Sequence, residues 1–240
     1  MTDSPVAYEQ FVDELEAARK PKGSDKHPLS VEWMNGRLSR KQLGFWAVQH
    51  FYYIDAVPPQ FAALYARMPD IEGRLMLLDN LLGEDMPDQP EKSHPNLLLQ
   101  FAETCGVKKE EVISAEQDGA ILATTRAMRA WIWELATIRP LEQACAGIMV
   151  ALEGQLPTLY PSYIEAMRKM GFTDEQLEFF HVHVENDVEH AEVGLRLCHK
   201  FADTRQKQLL AIETVKASAA LRFSMLDGVL QALKGVDEAA

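Results

Sequence analysis

The sequence predicts an all-α protein, a single domain over residues 1–240. Three observations carry that expectation. Apolar residues recur at helical spacing along nearly the whole chain, and no stretch alternates apolar and polar residues as a half-buried strand would. The breaks between apolar segments are short and hold helix-capping or helix-ending residues. Hydrophobic residues make up 47% of the 240, enough for a sizeable core.

Ser4 and Pro5 read as an N-cap and first helical position, leading a helix to about Arg19. KPKGSDKHP is a loop, followed by a short helix from about Leu29 to Asn35, closed by Gly36. Ser39 caps a long apolar helix that Pro58 and Pro59 should kink or split. Asp70 starts the next helix, which runs into LLDNLLGED, and MPDQPEKSHP is a proline-broken connector. Further helices are expected over 96–104, 109–136, 140–154 and 158–170. Thr173 caps the penultimate helix with Gln176 completing a capping box, and Thr204 opens the last helix, which ends near Gly235. Short connections make neighbouring helices mostly antiparallel.

The net charge of −12 repels nucleic acid and anionic lipid, so neither is an expected partner. The three cysteines, Cys105, Cys145 and Cys198, are far apart and form no CxxC pair. That excludes a disulfide framework or a zinc ribbon and fits a reducing cytoplasm. The acidic, polar start MTDSPVAYEQF does not read as a signal peptide, and the apolar run from Ala144 to Leu152 is too short to span a bilayer.

The stretch HVHVENDVEHAE raises a chemical question. On a helical wheel with His183 at zero, Asp187 falls at about +40° and His190 at about −20°, among Phe179, Phe180, Gly194, Leu197 and Cys198. Glu185, Glu189 and Glu192 take the other face, and His181, at about 160°, is a surface residue. A buried carboxylate without partners is costly. Two imidazoles and a carboxylate within two turns can instead point at one cation, with iron, manganese or zinc the metals such ligands suit. An internal Asp–His pair beside a satisfied core histidine is the competing reading.

A two-metal site needs further carboxylates and another histidine from facing helices. Glu153 follows the apolar run and should be buried, unless it is a helix-end acid reaching solvent; Gly147 and Gly154 would allow close helix approach there. Glu84 follows Leu77 and Leu81 on a core stripe, unless its helix end is frayed. His94 opens the next helix, where a histidine can also serve as a cap. Glu91 competes with Glu84 for the same role, although its proline-rich surroundings favour exposure. The candidate metal ligands are therefore Glu84, His94, Glu153, His183, Asp187 and His190.

Several segments carry a resemblance to a known family. HPLSVEWMNGRLSRKQLGFWAVQHFYY, LLDNLLGED with SHPNLL, ALEGQLP and HVENDVEH resemble the N-terminal region and the three metal-bearing segments of the haem-oxygenase-like diiron oxidases and oxygenases. That grouping includes the CADD-type p-aminobenzoate synthases, the PqqC proteins of coenzyme PQQ synthesis and the TenA thiaminases. The resemblance implies a haem-oxygenase-like helical bundle and puts the family's ligands on the same six residues. It further implies two ferrous ions, or iron with manganese, dioxygen as co-substrate, a small organic substrate and a homodimer. CADD-type members consume one of their own tyrosines beside a lysine; the matching positions here hold Ser30 and Tyr163. Cys145 does not align with the thiaminase nucleophile and reads as a small core residue. Two other readings stand beside the dimetal oxidase: a metal-independent oxidase of the PqqC kind, and a non-catalytic interaction protein on the same bundle.

His50, Tyr53 and Phe61 could line a substrate chamber or simply fill a core helix. Tyr160 and Tyr163 could approach a bound ligand, and Arg126 and Arg129 could meet a substrate carboxylate or be surface charges.

Overall fold

The computed structural model describes residues 4–236, without the side chains of residues 185–190. Its described residues form helices and no strand, as the sequence predicts. No helix among them is long and apolar enough to cross a membrane.

The first helix, α1 (Tyr8–Arg19), begins later than Ser4–Pro5 suggested, with Ala7 as its cap. The reason is tertiary: Gln208 accepts from the Val6 N–H at 2.9 Å and donates to the Val6 carbonyl at 3.0 Å. This two-way pairing holds the leading residues against the last helix instead of letting them join α1. The short α2 (Pro28–Met34) is capped by His27, whose ring nitrogen accepts from the Leu29 N–H. Ser39 caps α3 (Arg40–Ile54) as expected, and Gln42 completes a reciprocal cap that the sequence reading did not include. The proline pair splits the long apolar helix, falling in the first turn of α4 (Val57–Arg67), where missing N–H groups cost nothing. Asp70 accepts from the Gly73 N–H to start α5 (Ile71–Asp85).

After α6 (His94–Thr104), the helix expected over 109–136 is two: α7 (Lys109–Ser114) and α8 (Ala123–Thr137). Between them Gly119 takes φ +73°, a left-handed conformation that ends a helix readily only at glycine. The helix expected over 140–154 is also interrupted. It comprises α9 (Leu141–Cys145), a π-helical stretch over Ala146–Val150 and a 3-10 turn over Glu153–Gln155. Next come α10 (Leu156–Lys169) and α11 (Glu178–Phe201). The Thr173–Gln176 box caps a 3-10 turn leading into α11 rather than α11 itself. Thr204 caps α12 (Arg205–Leu233).

The main packings are α10 on α11, α3 on α6, α11 on α9, α12 on α8 and α4 on α5. Aromatic rings fill the centre: Trp33 stacks on Tyr163 and meets Trp46 edge to face, and Phe180 touches both tryptophans. Such rings bury large apolar areas and form a stiff wall for anything beside them.

Candidate metal centre

Glu84 sits in the last turn of α5, on the face that also buries Leu77 and Asn80. Met86 ends the helix in a left-handed conformation (φ 45°), and the chain returns through Ser93 to His94 at the first position of α6. This reversal sets His94 Nδ1 2.9 Å from Glu84 Oε2, with the two side chains only 1% and 6% exposed. An imidazolium would satisfy that contact, and so would a cation held by both groups. Glu91, the competitor, is exposed on the connector.

His183 comes from α11 and is buried. Its Nδ1 donates to the Phe179 carbonyl at 2.6 Å, which fixes the tautomer and turns Nε2 the other way. The His183 ring centroid lies 4.2 Å from that of His94. Three of the six predicted ligands, from three helices, are thus side by side.

Glu153 reaches the same pocket by distorted backbone. In the π segment the Ala151 N–H bonds to the Ala146 carbonyl, five residues back. Arg19 Nη1 from α1 donates to the Val150 carbonyl at 3.0 Å. Close approaches hold the segment in place. A Cβ on Gly194 of α11 would lie 2.4 Å from Met149 Cβ, and one on Gly147 would lie 2.6 Å from Leu135 Cδ1. Glu153 is half-buried rather than fully buried, with its Oε2 shielded from solvent. The expectation of a fully buried acid is corrected because the helix breaks just before it.

Asp187 and His190 lie on α11, but their side chains fall outside the described residues. Among the described residues no group of three or more His, Cys, Asp or Glu is arranged to hold an ion by itself.

Glu84, Glu153 and His183 line one narrow pocket. His50, Tyr53 and Tyr160 line it too, as the sequence allowed; Ile54, Val57, Leu152 and Leu156 supply aliphatic walls. Burial, with smaller contributions from Arg222 and His183, pushes the His50 imidazole well below its ordinary pKa, so it is neutral. Phe61 is core. Tyr163 turns away to donate to Ser30 Oγ at 2.6 Å, and burial pushes its phenol up to about 12. Ser30 and Tyr163 are therefore in direct contact.

Arg126 pairs with Glu116 and Arg129 donates to the Tyr52 carbonyl, and neither lines the pocket. Cys145 is fully buried with its thiol pushed up to about 12, which suits a packing residue and not a nucleophile. His181 is half-buried, 3.4 Å from Asp174. Sequence reasoning missed Arg222, which also lines the pocket. The signal was available: Val215, Ser218, Ala219, Arg222, Met225, Leu226 and Val229 form one buried stripe at helical spacing, and Arg222 is its only charge.

The family description "Iron-containing redox enzyme" matches residues 45–223. The chain belongs to this family. The family match spans Glu84, His94, Glu153 and His183. Among curated proteins, the 4-aminobenzoate synthase of Nitrosomonas europaea is 27% identical over 235 residues, 93% of this chain and 92% of the relative. The pyrroloquinoline-quinone synthase of Cronobacter sakazakii is 28% identical over 229 residues, 92% and 87% of the two chains. A solved domain of unknown function with a heme oxygenase-like fold, from Shewanella denitrificans, superposes with a TM-score of 0.76 at 16% identity, covering 98% of this chain and 97% of that one. The bundle is therefore haem-oxygenase-like.

Proposed function

We propose that this family member is a dimetal oxidase or oxygenase that uses dioxygen to oxidise a small organic substrate. The observation that carries the reading is the approach of Glu84, His94 and His183, with Glu153 in the same pocket. Glu84, His94, Glu153, His183, Asp187 and His190 would hold two ferrous ions, or one iron and one manganese. The donor types fit: imidazole and carboxylate are what iron and manganese prefer, and three carboxylates offset most of the charge of two divalent ions. When bound, iron in such a site supplies the capacity to reduce dioxygen to an oxidant.

The chain's own residues do the rest. The Phe179 carbonyl holds His183 in one tautomer, so its ligating nitrogen is set before metal arrives. The Glu84–His94 contact orients both side chains across the α5–α6 turn. Aliphatic and aromatic walls keep bulk water from the reacting space. Ser30 and Tyr163, at the positions of the consumed tyrosine and its lysine, support an external substrate over self-consumption. The −12 charge supports a small-molecule partner over nucleic acid.

The test is anaerobic loading with ferrous iron. About two irons per chain, and a new absorption band on admitting oxygen, are expected. Glu153→Ala should lose both. Wild-type protein that takes up no iron yet consumes oxygen with a substrate would make it a metal-independent oxidase instead.

A further inference from the structure

Arg222 is 4% exposed, in the middle of α12, and lines the pocket that holds Glu84, Glu153 and His183. Its Nε and Nη1 have no hydrogen-bond acceptor. Among the described residues no carboxylate lies within ion-pairing distance of it, and its guanidinium carbon lies 5.3 Å from the centre of the Tyr53 ring. A guanidinium keeps its charge in proteins, so burial cannot neutralise it as it can a lysine. Both ring nitrogens of His50, in the same pocket, are also without hydrogen-bond partners. His50 is held flat against Trp46, with ring centroids 4.3 Å apart. A fixed cation and a neutral imidazole, both buried and both unsatisfied, therefore face one space.

We infer that Arg222 anchors the carboxylate of the substrate, which is a monocarboxylic acid with an apolar body. The inference deepens the oxidase reading and rests on it. Metal bound to the pocket's acids would take up their charge and leave Arg222 the uncompensated one. A carboxylate matches the planar guanidinium fork with two parallel hydrogen bonds. His50 can donate to the same group from its neutral ring. Ile54, Leu152 and Leu156 offer the rest of the ligand an apolar wall. A phosphate dianion fits less well, because it would bring two charges to one cation beside aliphatic side chains.

Isothermal titration calorimetry with benzoate and hexanoate, against benzamide and hexanamide as uncharged counterparts, tests this. It is run on metal-free protein and on anaerobic ferrous-loaded protein, with inorganic phosphate as a further arm. In at least one form the acids should bind at least about tenfold more tightly than the amides. Arg222→Gln should remove that preference without lowering iron content, and Arg222→Lys should keep part of it. Acids that bind no better than amides, or not at all, overturn the inference, as does a preference that survives Arg222→Gln. Phosphate binding as tightly as the acids makes this a simple anion site and also overturns it. If Arg222→Gln does not fold, the acid-to-amide ratio of the wild type and of Arg222→Lys decides. Iron content is measured separately: iron bound without acid preference sinks only the anchor, and acid preference without iron sinks only the oxidase.

Discussion

Glu84 stands in the last turn of a regular 15-residue helix, whereas Glu153 follows five residues of π-helix and begins a 3-10 turn. Both line one pocket. The first is aimed by local rules: a capped start at Asp70 and a buried face repeating through Leu77 and Asn80. The second is aimed by three neighbours, since α11 presses on Met149 at Gly194, α8 presses at Gly147, and Arg19 takes the Val150 carbonyl. Function can thus rest on a regular element and an irregular one together, but only the irregular one depends on distant glycines. The π stretch fits the general finding that such bulges gather at functional sites.

The largest effect expected is on metal. Glu84→Gln and Glu153→Gln should each lower iron uptake by more than about tenfold, measured as iron per chain after anaerobic loading. Loss with only one of them would mean that the two arms do not serve a common centre. Next, Gly194→Ala should destabilise the fold by about 1–3 kcal/mol in chemical denaturation, because the new methyl meets Met149 Cβ rather than a flexible side-chain end. It should also reduce iron uptake, since it shifts the segment that carries Glu153. Arg19→Met, which keeps the apolar stem, should cost about 1 kcal/mol by leaving the Val150 carbonyl without its donor.

His27 belongs to neither arm and supplies a control. Its Nδ1 accepts from the Leu29 N–H while Nε2 contacts Asp227 at 3.1 Å, so protonation destroys the cap of α2. Burial lowers its pKa below the ordinary 6.5, with Asp227 opposing. The unfolded chain therefore takes the proton first as pH falls, and stability is lost below about pH 6.5, by about 1 kcal/mol. His27→Asn should flatten that part of the stability-versus-pH curve; an unchanged slope would assign the acid sensitivity elsewhere. The smallest effect belongs to Gly73→Ala in α5. Its methyl would sit 3.3 Å from the flexible Met68 sulfur, and the gain in helix propensity offsets the tightness, for a net change within about 1 kcal/mol. A cost as large as that of Gly194→Ala would erase the contrast between the arms.

Much of this arrangement can be read without coordinates. Ser39, Asp70 and Thr204 cap helices as their residue types predict, and the proline pair divides α3 from α4. His183 falls on the buried face that a helical wheel gives it, whereas the sequence left Glu84 and Glu91 as competitors and only the α5–α6 reversal sets Glu84 beside His94. The π stretch, the late start of α1 and the Arg222 anchor could not be read so directly. The first two are set by contacts between residues far apart in the chain, to which a local pattern is blind. The third was overlooked because a lone arginine in an apolar stripe looks like a surface charge until its neighbours are known.

The sequence by itself determined the all-helical fold, the caps at Ser39, Asp70 and Thr204 and the buried face of His183, because hydrophobic periodicity and capping act within a few residues. Only the tertiary structure decided that Glu84, His94, Glu153 and His183 meet, and that Arg222 and His50 look into the same space. Those outcomes depend on how closely helices approach, and close approach is governed by steric contact between residues that the chain separates by up to a hundred positions or more.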